Sequence, residues 1–189
     1  GGVSIDNDGV LLGTVSLTGF NNYTYTVDET PEVGVIQAQI NNYGTWFTEG
    51  TNTVGTSVGA IYNEGLIQTA FAQSVEGTPS LSNTTFNVAD FYNDDPGRSG
   101  ALSALDGQAG DTITVNGNFH GGSYDAEHPS DVEVAPVYSI VALDAYLDKP
   151  VGQGGTPAGD LLHVTGNTDG VTALIDVLRA GKIAGAALD

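Results

Sequence analysis

Residues 36–47 read Ile-Gln-Ala-Gln-Ile-Asn-Asn-Tyr-Gly-Thr-Trp-Phe. Ile36, Ala38 and Ile40 fall on one side of an extended chain and Gln37 and Gln39 on the other, the period of a half-buried strand. The pair Asn41-Asn42 ends the alternation, because short amides bond their own backbone in turns, and the aromatic run Tyr43 to Phe47 follows. The pattern extends in both directions. Towards the N-terminus, Val15 and Leu17 oppose Thr14, Ser16 and Thr18. Asn21-Asn22 then marks a turn, and Tyr23, Tyr25 and Val27 oppose Thr24 and Thr26, which reads as a hairpin.

Towards the C-terminus, Val54, Val58, Ala60 and Tyr62 continue the alternation, followed by Ile67, Thr69, Phe71 and Val75, and then by Phe86 and Val88. Ile113 and Val115 run into Asn116-Gly117, the strongest short hairpin dipeptide. Val132 to Leu147 is the most apolar segment and reads as a central buried strand, bent or divided at Pro136, which cannot donate to a ladder. Helical spacing is convincing once. Thr168 or Asp169 serves as cap, Val171, Leu174, Ile175 and Leu178 share a face, and Gly181 is the stop. A second helix over Ala60 to Ser74 is weakened by Gly65. The echo between Phe20-Asn-Asn-Tyr and Ile40-Asn-Asn-Tyr is too brief to make a repeat. The expected fold is mainly β: an antiparallel β-sandwich, jelly-roll or Ig-like, or a barrel, with one C-terminal α-helix. Residues 1–189 form a single domain in this reading, with segments 1–9 and 183–189 able to exchange onto a neighbour.

Composition narrows the classes of function. The chain has 189 residues, 23 acidic against 4 basic side chains, a formal charge of −19, 27 glycines and no cysteine or methionine. Disulfide scaffolds, zinc fingers, iron–sulfur clusters and thiol nucleophiles are therefore excluded. So negative a surface is repelled by phosphate backbones and anionic headgroups, which argues against nucleic acid and against membrane partners. No apolar run reaches the length of a membrane span. Richness in Thr, Asn, Gly and Asp with only two lysines points to an extracellular or cell-surface protein, and Gly1-Gly2 carries no feature of a signal peptide. Asn22-Tyr23-Thr24 and Asn83-Thr84-Thr85 are sequons that read equally well as turns.

Several groupings bear on chemistry. Gly55-Thr56-Ser57-Val58-Gly59 matches a nucleophile elbow, with His163 downstream and Asp144, Asp148 and Asp160 between, but the surrounding β pattern is wrong for an α/β-hydrolase, and the chain is not read as an enzyme. Hard oxygen ligands suit calcium. Ser4-x-Asp6-x-Asp8-Gly9 begins like an EF-hand loop, although Val15 stands where a glutamate is required, and Asp90, Asn93, Asp94 and Asp95 form a second acidic group. The calcium candidates are Asp6, Asp8, Asp94 and Asp95. His120, Asp125 and His128, with Tyr124, Glu127 and Asp131 nearby, are the candidates for a transition metal or haem, at a spacing that matches no standard motif. Gly152 to Pro157 lacks the third glycine of a dinucleotide loop. Trp46, flanked by Tyr43 and Phe47, is a candidate for stacking on a sugar ring or for the core.

The functional expectation is an extracellular structural subunit that self-assembles into a filament, matrix or surface layer by β-strand addition, with itself as partner and calcium as a helper. A calcium-dependent carbohydrate-binding or adhesin module is the alternative, and a small metal- or haem-binding secreted protein using the loop from His120 to His128 is the third reading. The acids concentrate at residues 6–8, 90–95 and 125–131, while the strand faces carry few of the lysines that guard β edges.

Overall fold

The computed structural model describes residues 2–18, 22–27, 30–35, 37–55, 58–70, 81–95, 98–122, 139–145, 159–170 and 172–178. The alternation read in the sequence is real: Ala38, Ile40 and Asn42 are buried, while Gln37 is exposed and Gln39 half-buried. What differs is how the strands meet. β1 (Val3–Asn7), β2 (Val10–Leu12) and β3 (Ser16–Leu17) make one turn of a coil. β6 (Ala38–Asn42), β7 (Thr45–Phe47) and β8 (Gly50–Val54) lie beneath them, each parallel to its counterpart. Between these turns the chain leaves to form an antiparallel hairpin, β4 (Asn22–Val27) with β5 (Thr30–Val35).

The next turns follow the same three faces. β9 (Gly59–Asn63) and β10 (Leu66–Gln68) stack on β6 and β7, and β11 (Asn83–Tyr92) is long enough to pair with β8 in its first half and β9 in its second. A short antiparallel pair, β12 (Asp94–Asp95) and β13 (Arg98–Ser99), interrupts one corner before β14 (Ala101–Ser103) and β15 (Thr112–His120). β16 (Ser139–Ala145), β17 (Leu161–Val164), β18 (Thr168–Asp169) and β19 (Thr172–Leu178) complete the described coil. One nine-stranded and one six-stranded sheet result, and every pairing within them is parallel. The fold is a parallel β-helix.

The expectation of an antiparallel sandwich or barrel is therefore corrected, and no helix occurs among the described residues. Period-two alternation fits parallel and antiparallel ladders equally, so it could not set strand direction. Residues 172–178 satisfy a helical face and a strand pattern at once, and pairing with β16 from Thr172↔Ser139 to Leu178↔Ala145 selects the strand. The helix considered for 60–74 is likewise replaced by β9 and β10 over its first part. Asn116-Gly117 is no hairpin turn either. Both residues lie inside β15 where the coil bends from one face to the next, and a Cβ on Gly117 would stand 2.0 Å from the Val88 carbonyl oxygen.

Parallel register stacks like on like. Ile40, Ile61, Phe91 and Phe119 form one internal column, and Leu11, Trp46, Ile67, Leu102 and Val141 a second. Trp46, Phe86 and Phe91 are wholly buried and meet edge to face at 5.8 and 5.2 Å. Burying each such side chain contributes about 1.5–3 kcal/mol, which makes these columns the main source of cohesion.

One internal column is polar. Asn7 donates to Asn42 at 2.7 Å, Asn42 to Asn63 at 2.7 Å, and Asn63 to Asn93 at 2.7 Å. The second N–H of each carboxamide bonds a carbonyl of the adjacent turn, at Thr45, Leu66, Ala101 and Ile140 in succession. Two residues beyond the asparagines, Gly44 and Gly65 complete the corner. A Cβ on Gly65 would lie 2.1 Å from the Gly44 carbonyl oxygen, so no other residue fits that stack.

Replacing an inner member of this column should cost more than replacing its end. Asn63→Ala leaves the Asn42 amide without its acceptor and removes the donors to Asn93 and to the Ala101 carbonyl, and orphaned buried groups cost about 1–3 kcal/mol each. We expect Asn63→Ala to lower unfolding free energy in urea by about 3 kcal/mol or more and Asn7→Ala by about half of that.

Candidate functional site

The face formed by β1, β6, β9, β11 and β15 carries two outward columns. In the first, Asp6, Asn41, Tyr62, Tyr92, His120 and Asp169 stand in register on successive turns. The Tyr62 and Tyr92 rings stack at 4.8 Å and 2°, and His120 stacks on Tyr92 at 4.4 Å and 15°. This follows from strand spacing: parallel neighbours lie about 4.8 Å apart, so aromatic residues in register must stack or avoid each other. In the second column Gln39, Ala60, Asp90 and Asn118 succeed one another. Ala60 is the short member. The resulting gap opens a groove of about 340 Å³, lined by Gln37, Gln39, Ala60, Tyr62, Asp90 and Tyr92 among others.

The polar groups around this groove are fixed. Asn118 donates to Asp90 Oδ1 at 2.9 Å, and the His120 Nε2 lies 3.1 Å from the same oxygen. His120 Nδ1 lies 2.8 Å from Asp169 Oδ1, so both ring nitrogens face carboxylates contributed by different turns. Burial alone would lower the His120 pKa, but the hydrogen bonds and charges of Asp90 and Asp169 outweigh it and hold the imidazolium above its ordinary value. For Asp90, burial favours the neutral acid, yet Asn118 and His120 together keep the carboxylate below its usual range. Burial, and then the Asp90 charge, raise the Tyr92 phenol.

A second grouping lies at a corner of the coil. Asp160 Oδ1 accepts from the Gly110 and Asp111 N–H groups, and its Oδ2 accepts from Asp144 N–H. Asp144 Oδ2 accepts from the Asp106 and Gly107 N–H groups. Asp111, 1% exposed, accepts from Ser82 N–H through Oδ1, while its Oδ2 is buried without a hydrogen-bond partner. Burial first, and then the charges of Asp106, Asp160 and Asp144, push the Asp111 carboxyl up to about 6 despite the Ser82 bond. These aspartates pin the loop between β14 and β15 to the segments around Asp144 and Asp160.

The residues singled out in the sequence fall as follows. Asp6 is exposed and accepts from Asn41, and Asp8 is exposed. Asp94 is buried and Asp95 belongs with it to β12. Asp6 and Asp8 flank Asn7 while Asp94 and Asp95 follow Asn93, three turns along the same corner column, and the two pairs are not gathered into one group. Of the transition-metal candidates, His120 engages Asp90 and Asp169, whereas Asp125 and His128 lie outside the described residues. No group of three or more histidine, aspartate or glutamate side chains is gathered to hold a metal ion among the described residues. Gly55 sits at a coil corner with φ 59°, His163 is exposed on β17, and Ser57 and Asp148 lie outside the described residues, as does segment 183–189. Trp46 is 0% exposed and donates through Nε1 to the Gly13 carbonyl, so it belongs to the core and offers no platform to a sugar.

The aromatic column, the groove and the carboxylate corner were not read from the sequence. The recurring order Ile-x-Asn-x-Gly, at 5–9, 40–44 and 61–65, was the signal that would have aligned the first three turns and placed Asp6, Asn41 and Tyr62 in one column. Compared with known proteins, the chain matches no family model, no curated protein and no solved structure.

Two titrations test the electrostatics. A histidine held above its ordinary pKa of 6.5 contributes stability that is full below that pH and is lost as pH rises through the folded value. The melting temperature of the native chain should therefore decline as pH rises above 6.5, and His120→Gln should remove that contribution. Asp111, raised from 3.8 to about 6, works against folding once both states are ionised. Asp111→Asn should stabilise the fold at neutral pH by about 1–2 kcal/mol after allowance for solvent screening, and the gain should vanish below pH 3.8.

Proposed function

We propose that this chain is an extracellular structural element, a β-helical rod that assembles head to tail by stacking turn on turn. The observation that carries the reading is the state of the first turn. Among the described residues, β1, β2 and β3 are each paired on one side only, as are β17, β18 and β19 at the other end. Val3, Val10 and Leu12 on the first turn are 44, 65 and 74% exposed. Residues 1–20 contain no lysine or arginine, so the edge lacks the basic guards that usually discourage strand addition, and its exposed charges are Asp6 and Asp8.

A joint between the β1–β3 edge of one copy and the β17–β19 edge of another is heterologous and, running along the coil axis, does not close, which yields a filament. The charge of −19 opposes that approach at low ionic strength and is screened by salt or calcium. The extracellular placement rests on the acidic, cysteine-free, lysine-poor composition.

Negative-stain microscopy and light scattering across salt and calcium concentrations test the reading. Filaments or length-distributed oligomers should appear as screening increases. The Val3 N–H donates to the Gln37 carbonyl, so alternation turns the Ser4 N–H away from the coil, towards an added turn. Ser4→Pro should therefore shorten the polymers while leaving the monomer's melting temperature nearly unchanged. A strict monomer under all these conditions would refute the assembly.

A further inference from the structure

We infer that the groove over Ala60 is a binding site for a saccharide that carries no acidic group. Gln39 and Asp90 flank Ala60 in register, two strand spacings or roughly 10 Å apart, and the gap between them admits a ring-sized ligand. Its volume of about 340 Å³ is at the small end of the range for ligand sites. The lining is polar and mixed: side-chain amides at Gln37 and Gln39, a carboxylate at Asp90, and phenols at Tyr62 and Tyr92. That set offers both donors and acceptors, the requirement of a polyhydroxylated ligand, in which each hydroxyl gives and takes a bond.

The walls are held before any ligand arrives. Tyr62 is locked against Tyr92, Tyr92 against His120, and Gln39 donates to Asn41 at 2.5 Å. Both bonds to Asp90 fall on Oδ1, which leaves Oδ2 as an acceptor for a sugar hydroxyl or ammonium group. Such pre-organisation lowers the ordering cost of binding. Charge selects the ligand. The groove contains a carboxylate, and the chain carries −19, so uronates and sulfated sugars are repelled while neutral and amino sugars are admitted.

Isothermal titration calorimetry of the native chain with cellohexaose, chitohexaose and the glucosamine hexamer, against a hyaluronan oligosaccharide, tests this site. At least one of the first three should bind, and hyaluronan should not. Ala60→Trp, which fills the groove from an outward position, should weaken that binding about tenfold or more with an unchanged melting temperature. Asp90→Asn should weaken the glucosamine hexamer more than the neutral sugars, and Leu12→Ser, on the opposite sheet, should leave all affinities unaltered. Absence of binding by every non-acidic sugar tighter than about 10 mM would overturn the inference, as would equal binding of hyaluronan or indifference to Ala60→Trp.

Discussion

The structure depends on one geometrical demand: at the corner after β1, β6, β9 and β11, each turn must bend without leaving buried backbone groups unsatisfied. An inward asparagine meets it. Its carboxamide gives one N–H to the asparagine of the next turn and one to that turn's backbone, and its oxygen receives from the turn before. A leucine there would pack as well and would strand those carbonyls. An aspartate would set like charges 4.8 Å apart in a dry interior. Glycine two positions on is the second half of the same solution, since Gly44 and Gly65 stack backbone on backbone.

Once the corners coincide, the faces have little freedom. Strands of equal pitch must lie in register, and register places Trp46 over Ile67 within and Tyr62 over Tyr92 without. The aromatic column and the groove are thus by-products of corner geometry. Their side chains come from residues dozens of positions apart, yet they are spaced as regularly as the strands that carry them. The hairpins β4–β5 and β12–β13 leave the coil and return to it without disturbing that order.

How much of this the sequence disclosed depends on the kind of information. Strand positions were legible: Ala38 and Ile40 alternate with Gln39 as burial requires, and Tyr23 to Val27 is a strand. Its partner was misread: the hairpin is made with Thr30–Val35 and not, across Asn21-Asn22, with the run before it, whose Ser16 and Leu17 pair in parallel with β8. Strand direction was not legible, because a ladder of either sense has the same two-residue period. The asparagines were noticed but taken for turn formers, which local preference supports. Their recurrence was hidden by unequal loops, since successive corner asparagines are 35, 21 and 30 residues apart. At the fourth corner β12 and β13 separate Asn93 from Gly100 and blur the motif further. The candidate site was beyond reach for the same reason: His120 meets Asp90 and Asp169 only when register is known, and the aspartates at 106, 111, 144 and 160 meet only across a corner.

The asparagine column also has a sense. Every carboxamide donates in one direction, from Asn7 through Asn42 and Asn63 to Asn93 and on to the Ile140 carbonyl. Aligned amide dipoles polarise one another, so each bond strengthens its neighbours, and a single reversed member would face oxygen against oxygen on one side and N–H against N–H on the other. The interior is therefore electrically vectorial along its axis.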